Sequence, residues 1–467
     1  MKNHIIPVLI ASLLGGLPLL NARPPNLIVI MTDDQGYADV GFNGCKDIPT
    51  PHLDSIAENG VHFPNGYVSY SVCSPSRAGF LTGRYEQRFG HERNPRWNTG
   101  SRESGLPLSE KTLADCLGGV GYTSGIIGKW HLGSHPDLHP LKRGFNEFFG
   151  HLGGGHRYFP QELTLRNTEE ARNESDSYRL WIMRDQTPVK TTGYLTDEFS
   201  DEAARFIERN QAKPFFLYLA YNAPHSPLQA SEKYLARFAG IQNEKRRTYA
   251  AMVSAVDDGA GKVLGKLREL GLEDDTLVVF LSDNGGPADN GSDNGPLRGG
   301  KGGPHEGGIR VPFAAQWPGK IPKGLVYQNP VISLDIFASI AALAKAKVDP
   351  ARPLDGVNLL PYLTGENPGA PHDAIYLRMY DKGAYVVRQG DFKLVIGQKG
   401  GSGELYNLKQ DVGEKKDLAE SNTEKLGILE KMRTKWDSQL VPPVFEGLKS
   451  RGGGKTGKKA SDAKSDD

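Results

Sequence analysis

Two pairs of residues, Asp33-Asp34 in LIVIMTDDQG and Asp283-Asn284 in LVVFLSDNGG, stand directly after short apolar runs. Their side chains offer only oxygen donors, the set a hard divalent cation takes. Calcium fits better than magnesium, because several protein oxygens are at hand and an asparagine is among them. Zinc is disfavoured, since no His or Cys interrupts either pair. Taken singly, each pair is also an ordinary cap or turn former. A second group adds positive charge and proton transfer: Arg77, Lys129 and His131 in GKWHLG, His225 in APHSP, and Lys301 in GGKGGPHEGG. Cations that hold oxyanions, beside imidazoles that titrate near neutrality, suit an anionic ester. Phosphate and sulfate esters fit these residues equally. Cys73, in SYSVCSPSRAGFLTGRY, completes the set. A structural thiol belongs in an apolar run, whereas Cys73 precedes Ser74-Pro75, and proline is favoured in the first turn of a helix. That places residue 73 near free backbone N–H groups, a natural anion site. An inert buried thiol is the other reading of the residue type alone.

Four separated segments carry these groups, so a scaffold must bring their ends together. The runs NLIVIM (26–31), TSGIIG (123–128), PFFLYLA (214–220) and TLVVFL (276–281) are continuously apolar, as strands covered on both faces are, with VPFAAQW (311–317) as a fifth. Helical patterns lie between them at 50–60, 75–85, 109–118, 196–210 and 245–270. The expectation is an α/β fold with a large, mainly parallel mixed sheet flanked by helices. In such a sheet the carboxyl ends of the strands share one edge, where open α/β folds bind ligands. Residues 151–195, rich in Gly, Arg and polar groups, read as an insertion on that side. Residues 374–398 read as short antiparallel strands with Lys-Gly and Gly-Asp turns, followed by a helix near 422–440. The implied organisation is a leader at 1–22, a catalytic domain at 23–365, a C-terminal α+β subdomain at 366–446, and a disordered tail at 447–467, which from about 449 lacks apolar residues apart from alanine.

Composition narrows the partners. The 467 residues include 56 basic and 55 acidic side chains, a net charge of +1, so no global field draws the chain to nucleic acid. The start, with Lys2, the run IIPVLIASLLGGLPLL and Ala22, has the pattern of a cleavable secretory signal. Gly15-Gly16 and Pro18 interrupt the run, which argues against a membrane anchor in the mature chain. Export to the periplasm or medium is expected. Three cysteines exclude a disulfide-dense scaffold and leave at least one thiol unpaired within the chain; a Cys45–Cys116 bridge stays open.

The segment C-S-P-S-R (73–77), followed by LTGR (81–84), resembles the signature of type I sulfatases in the alkaline phosphatase superfamily. The resemblance extends in family order through TDDQG (32–36), GKWHLG (128–133), APHSP (223–227), SDNGG (282–286) and GGKGGPHEGGIRVP (299–312). It implies that a maturation enzyme oxidises Cys73 to formylglycine, whose hydrated form attacks sulfur and later expels sulfate by C–O cleavage. It also implies that Asp33, Asp34, Asp283, Asn284 and the modified residue 73 hold one calcium. On the same resemblance Arg77, Lys129 and Lys301 grip the sulfate, Asp283 helps deprotonate the attacking hydroxyl, His225 protonates the leaving oxygen, and His131 takes the proton in the elimination.

GFNGCKDIPTPHLD and RYEQRFGHERNP look like stretches of sulfatases from bacteria that degrade marine polysaccharides, carrageenan-type galactans included. The expected substrate is therefore a sulfated carbohydrate. Arg88, His91 and Arg93, in a basic run with aromatic residues, together with His156 and Arg157, are candidate substrate contacts; a solvated basic face is the alternative. Two other functions remain at this stage. One is a phosphonate or phosphodiester hydrolase of the same superfamily, and the other is a non-catalytic receptor for sulfated glycans.

Overall fold

The four continuously apolar runs form parallel strands with almost no residue exposed: Asn26–Thr32, Thr123–Lys129, Phe215–Ala220 and Thr276–Ser282. The computed structural model describes residues 23–397 and 401–448. The expected leader at 1–22 lies outside the described residues. Leu27 opposes both Phe216 and Leu277, and Gly128 opposes Ala220, so the four strands end at one edge in register. A fifth parallel strand, Glu147–His151, pairs with Thr123–Lys129 and sets His151 opposite Lys129. It lies in NEFFGH, outside the expected strands. Phe313–Gln316, expected within 311–317, is shorter and runs antiparallel to Thr276–Ser282. Short strands extend both edges to ten in all, among them Ile182–Arg184 and Thr187–Val189 from the stretch expected to be an insertion.

Alternation along each strand feeds two cores. Ile28 and Ile30 face helices Pro51–Glu58, Leu195–Asn210 and Glu244–Glu269. Leu27, Val29 and Met31 face helices Cys73–Thr82, Leu113–Gly118 and Leu334–Leu343. Burial on both faces explains why the strands read as apolar runs without alternation. Two helices depart most from their expected spans. Leu113–Gly118 starts later than 109 because Thr112 and Asp115 form a reciprocal capping box there. Cys73–Thr82 starts two residues before Pro75, with Val72 as its cap, and ends at Gly83, whose φ of +66° favours glycine.

The C-terminal part carries an antiparallel sheet of Ile375–Met379, Ala384–Gln389, Phe392–Ile396 and Glu404–Asn407, with helix Thr423–Asp437. Gly383 (φ +60°) and Gly390 (φ +57°) make the expected turns. Gly447 bridges to Pro95 and the Leu448 N–H donates to the Asn94 carbonyl, so those two residues of the expected tail belong to the folded chain. The rest, 449–467, lies outside the described residues. Cys45 and Cys116 are separate, half-buried free thiols. Among the described residues no helix is long and apolar enough to cross a membrane.

One buried charge cluster ties the two parts together. The Lys393 ammonium stands 2.9 Å from Glu306 and 2.8 Å from Glu414, with all three side chains shielded from water. Burial pushes the Glu306 carboxyl up, but Lys393, Arg310 and Arg388 outweigh it and hold the group ionised, down to about 2. Replacing the ammonium leaves two carboxylates buried without it, so Lys393→Met should cost about 3–5 kcal/mol. Urea unfolding midpoints of the wild type and of this variant measure it. A triple variant that also carries Glu306→Gln and Glu414→Gln should recover part of the loss.

Candidate active site

The carboxyl ends of the central strands deliver their polar residues to one water-poor point. Asp33 and Asp34 follow the strand Asn26–Thr32, and Asp283 and Asn284 follow Thr276–Ser282. The Asp283 N–H donates to the Thr32 carbonyl, and the Asp34 N–H to Asp283 Oδ1 at 3.3 Å, which locks the two ends side by side. Asp34 (φ +66°) and His131 (φ +57°) hold left-handed backbone, a conformation that costs about 1–3 kcal/mol in a non-glycine residue and tends to collect at functional sites.

Helix Cys73–Thr82 points its first residue into this cluster, and all ten of its residues are buried. Cys73 Sγ donates to Asp33 Oδ1 at 3.3 Å and accepts from Lys301 Nζ at 3.3 Å. One turn later the Arg77 guanidinium reaches Asp283 Oδ2 at 2.8 Å and stands 3.9 Å from Asp33. Lys129 Nζ donates to Asp33 Oδ2 at 2.5 Å, and Lys301 Nζ lies 2.6 Å from Asp34 Oδ1. His225 Nε2 stands 3.7 Å from Asp34 Oδ2, while its Nδ1 is taken by the Ser226 carbonyl at 2.6 Å. Both ring nitrogens of His131 are buried without a hydrogen-bond partner.

The fold thus gathers Cys73, Arg77, Lys129, His131, His225, Lys301, Asp33, Asp34, Asp283 and Asn284. Burial, and then Asp33, push the Cys73 thiol well up, so an unmodified residue 73 stays neutral and makes a poor nucleophile. Burial pushes the Asp34 carboxyl up, but Lys301 and His225 outweigh it and bring it down to about 2. Burial and the neighbouring Asp33 raise Asp283 to about 6, against the pull of Arg77 and Lys129. Burial, with the surrounding cations, holds both imidazoles neutral: His225 falls to about 3, and His131 goes well below its ordinary value.

The carboxylate and amide oxygens of Asp33, Asp34, Asp283 and Asn284 suit a hard divalent cation, and Cys73 and His225 join the acidic pair Asp33-Asp34 in one tight cluster. One ligand atom from each of Asp33, Asp34, Cys73 and His225 lies within 4.8 Å of the others. Asn284 donates through Nδ2 to Asp34 Oδ1 at 2.8 Å, while its Oδ1 is buried with no hydrogen-bond partner. An orphaned amide oxygen among carboxylates is a ligand in search of a cation.

The five candidate substrate contacts all have partners within the protein. Arg88 pairs with Asp355 at 2.8 Å, and Arg93 reaches Asp381 and the Phe445 carbonyl. His91 is buried and braces Ser74 Oγ at 2.7 Å, whose hydroxyl donates to the His131 carbonyl. The ring nitrogens of His156 face the carbonyls of Arg157 and Leu180, and Arg157 lies 3.4 Å from Glu162. Two contributors escape a reading by motif. Tyr218, inside an apolar strand, places its hydroxyl 3.4 Å from Arg77 Nη1. Gly154 packs so tightly that a Cβ would lie 2.8 Å from His131 Nε2, a close approach for which the GGG of HLGGGHR was the sequence signal.

A buried nucleophile position ringed by three cations, carboxylates and neutral imidazoles defines a hydrolase of anionic esters. Comparison with known proteins narrows the class. Residues 25–346 match the sulfatase family, and 302–440 match the C-terminal region of N-sulphoglucosamine sulphohydrolase. The chain belongs to the sulfatase family, the type I sulfatases of the alkaline phosphatase superfamily, and is a sulfuric ester hydrolase. It is 38% identical to N-acetylgalactosamine-6-sulfatase of Mus musculus over 378 residues, 76% of this chain and 69% of that one. The crystal structure of Ps i-CgsB in complex with k-i-k-neocarrahexaose superposes with a TM-score of 0.85 at 40% identity, covering 90% of this chain and 94% of that one. PsFucS1 sulfatase from Pseudoalteromonas sp. gives 0.76 at 25% identity, covering 89% and 90%.

Arg77 presents a planar fork to two carboxylates, which a lysine cannot copy. Arg77→Lys should therefore lower kcat on an aryl sulfate by about 100-fold, the scale of losing one oriented donor from such a site. Steady-state kinetics, with circular dichroism to confirm folding, checks this.

Proposed function

We propose that the chain removes sulfate from a carrageenan-type galactan or its oligosaccharides, with residue 73 matured to formylglycine and one calcium held by Asp33, Asp34, Asp283, Asn284 and residue 73. The observation that carries this reading is the convergence of Cys73, Arg77, Lys129 and Lys301 on one buried point beside an orphaned Asn284 oxygen. The likeness to a sulfatase solved with a neocarrahexaose supports the choice of sugar. The leader pattern at 1–22 supports export.

In this reading the hydrated aldehyde supplies the nucleophile and calcium supplies polarising charge; the remaining work falls to the chain's own side chains. Arg77, Lys129 and Lys301 bind the sulfate oxygens and fix the ester for in-line attack. Asp283, raised to about 6, is basic enough to take a proton from the attacking hydroxyl. His225 protonates the leaving oxygen. Burial, and then Lys301 and Lys129, hold its imidazole down to about 3 against the pull of Asp34; a bound sulfate ester offsets the charge of the two lysines, which favours the proton that His225 donates. His131, neutral and with both ring nitrogens free of partners, takes the proton whose removal releases sulfate.

When the protein is made with a formylglycine-generating enzyme, the tryptic peptide containing Cys73 should carry an aldehyde, and specific activity should scale with the aldehyde fraction measured by mass spectrometry. Full activity on a carrageenan oligosaccharide from protein with an unmodified thiol would refute the mechanism.

The two histidines should separate by leaving group. His225→Ala should suffer far more with a sugar sulfate than with an aryl sulfate, whose phenolate departs unprotonated. His131→Ala should release the first alcohol in a burst and keep sulfate on residue 73. Burst kinetics and the mass of the residue-73 peptide distinguish them; equal losses in both variants across leaving groups, with no trapped sulfate, would overturn the assignment.

A further inference from the structure

The glycine run Gly153-Gly154-Gly155 follows the strand Glu147–His151, and a one-turn helix, Glu174–Ser177, lies directly on it. A Cβ added at Gly153 would stand 2.6 Å from Ser177 Oγ, one at Gly154 2.9 Å from Glu174 Oε1, and one at Gly155 2.6 Å from the Tyr178 hydroxyl oxygen. Three residues without side chains let the helix approach this closely. The Asn173 side chain caps the helix by accepting the Asp176 N–H, and the Gly154 N–H donates to Glu174 Oε1 at 2.8 Å. Glu174 is thus fixed through both its backbone and its carboxylate.

His131 stands on the other side of Gly154. The Cβ position that lies 2.9 Å from Glu174 Oε1 lies 2.8 Å from His131 Nε2. The two atoms are therefore at most about 6 Å apart, a gap that one bridging water closes with two ordinary hydrogen bonds. Both ring nitrogens of His131 are buried without a hydrogen-bond partner among the described residues, which native interiors rarely leave uncompensated. Burial, and then Lys129, Arg77, His225 and Lys301, oppose a positive charge on that ring. A proton taken by His131 thus creates a charge that none of those groups offsets. Histidine bases are ordinarily oriented and balanced by a third group. Glu174 is the carboxylate at hand. Burial pushes its carboxyl up, against the pull of the Gly154 N–H and of Lys129, which makes it a better proton acceptor.

We propose that Glu174 is the charge partner of His131, a carboxylate set across one water from Nε2 that orients the imidazole and receives its proton once sulfate has left. The proposal rests on the role of His131 argued above. His131 takes the proton of the residue-73 hydroxyl as the C=O bond of residue 73 re-forms, the C–O bond to sulfate breaks, and sulfate departs with that electron pair. The imidazolium then gives its proton to the bridging water, which passes one of its own to the Glu174 carboxylate and from there to solvent. His131 is returned neutral for the next cycle.

The test compares the matured enzyme with its Glu174→Gln variant. Glutamine still accepts the Gly154 N–H but carries no charge, so a merely structural role predicts wild-type behaviour. The expected result on 4-methylumbelliferyl sulfate is a fall of about tenfold in kcat with kcat/KM held, because only the second step slows. Phenol release should show a burst, and the residue-73 peptide should gain the mass of sulfate. Adding Glu174→Gln to His131→Ala should cost nothing further. A readout without turnover uses Cys73→Ala protein labelled with 15N-histidine: the His131 ring resonance, identified by its loss in His131→Ala, should move when Glu174→Gln is added. Wild-type kinetics with an unmoved resonance would overturn the proposal, and so would a rise in KM confined to a carrageenan oligosaccharide, which would make Glu174 a sugar contact. Sulfate trapped in His131→Ala but not in Glu174→Gln would overturn this proposal alone. Sulfate trapped in neither would overturn the role of His131, and the partnership with it.

Discussion

The structure is organised around the cost of burying the carboxyl groups of Asp33, Asp34 and Asp283 out of reach of water. Each is almost fully buried, and so are Arg77 and Lys129. Taking an ion from water into a protein interior costs several kcal/mol even after relaxation, and mutual attraction offsets it only when the geometry is tight. The chain meets that demand one for one, with Arg77, Lys129 and Lys301 set against the three carboxylates. The balance is near zero among the residues alone. On the calcium reading a divalent cation would turn it positive, which is the sign an anionic ester needs. The same lysines and arginine that neutralise the acids are then placed to receive sulfate oxygens.

That charge balance dictates much of the surrounding architecture. Arg77 can reach Asp283 only from a helix buried along its whole length, so Cys73–Thr82 must pack against Leu334–Leu343 and end at once in Gly83, where a Cβ would meet Phe337 at 2.8 Å. Asp34 and His131 must leave their strands in left-handed backbone to turn their side chains into the cluster. That strain persists because the neighbours over-determine it: the Asp34 N–H is held by Asp283, the His131 N–H by Leu152, and the His131 carbonyl by the Ser74 hydroxyl. His91, read from the sequence as a substrate contact, holds the other end of that Ser74 bond. Its contribution to the site is positional.

The sequence made the parallel strands and their terminal residues legible because a doubly covered strand writes itself as an unbroken apolar run, and the groups it delivers follow directly. What it hid was pairing across long separations. Arg88 and Arg93 read as a basic face, but the carboxylates that bind them, Asp355 and Asp381, lie more than 260 positions away. Glu147–His151 escaped because five residues ending in Gly-His carry too little apolar signal to mark a strand, although their pairing with Thr123–Lys129 builds one wall of the site. Tyr218 was legible as a strand residue and illegible as a partner of Arg77. Nothing in PFFLYLA says which face the hydroxyl takes.

The same limit applies to the boundary expected near 365. Composition shifts there from α/β patterning to short antiparallel strands, which reads as a smaller α+β subdomain. Packing joins that subdomain to the rest, since Ile375, Leu377, Val386 and Trp436 belong to the same hydrophobic core as Leu27 and Val29 of the central sheet. The Lys393 ammonium crosses the seam to Glu306, and the Glu306 N–H is held in turn by Glu414. Glu306 lies five residues after Lys301 and opens the one-turn helix Glu306–Ile309, after a stretch of glycines that has little rigidity of its own. The buried ion cluster therefore gives that loop a fixed anchor. The C-terminal sheet acts on the reaction centre through it, by setting where Lys301 stands relative to Asp34 and Cys73. A region that contributes no residue to the cluster is in this way part of what holds the cluster in place.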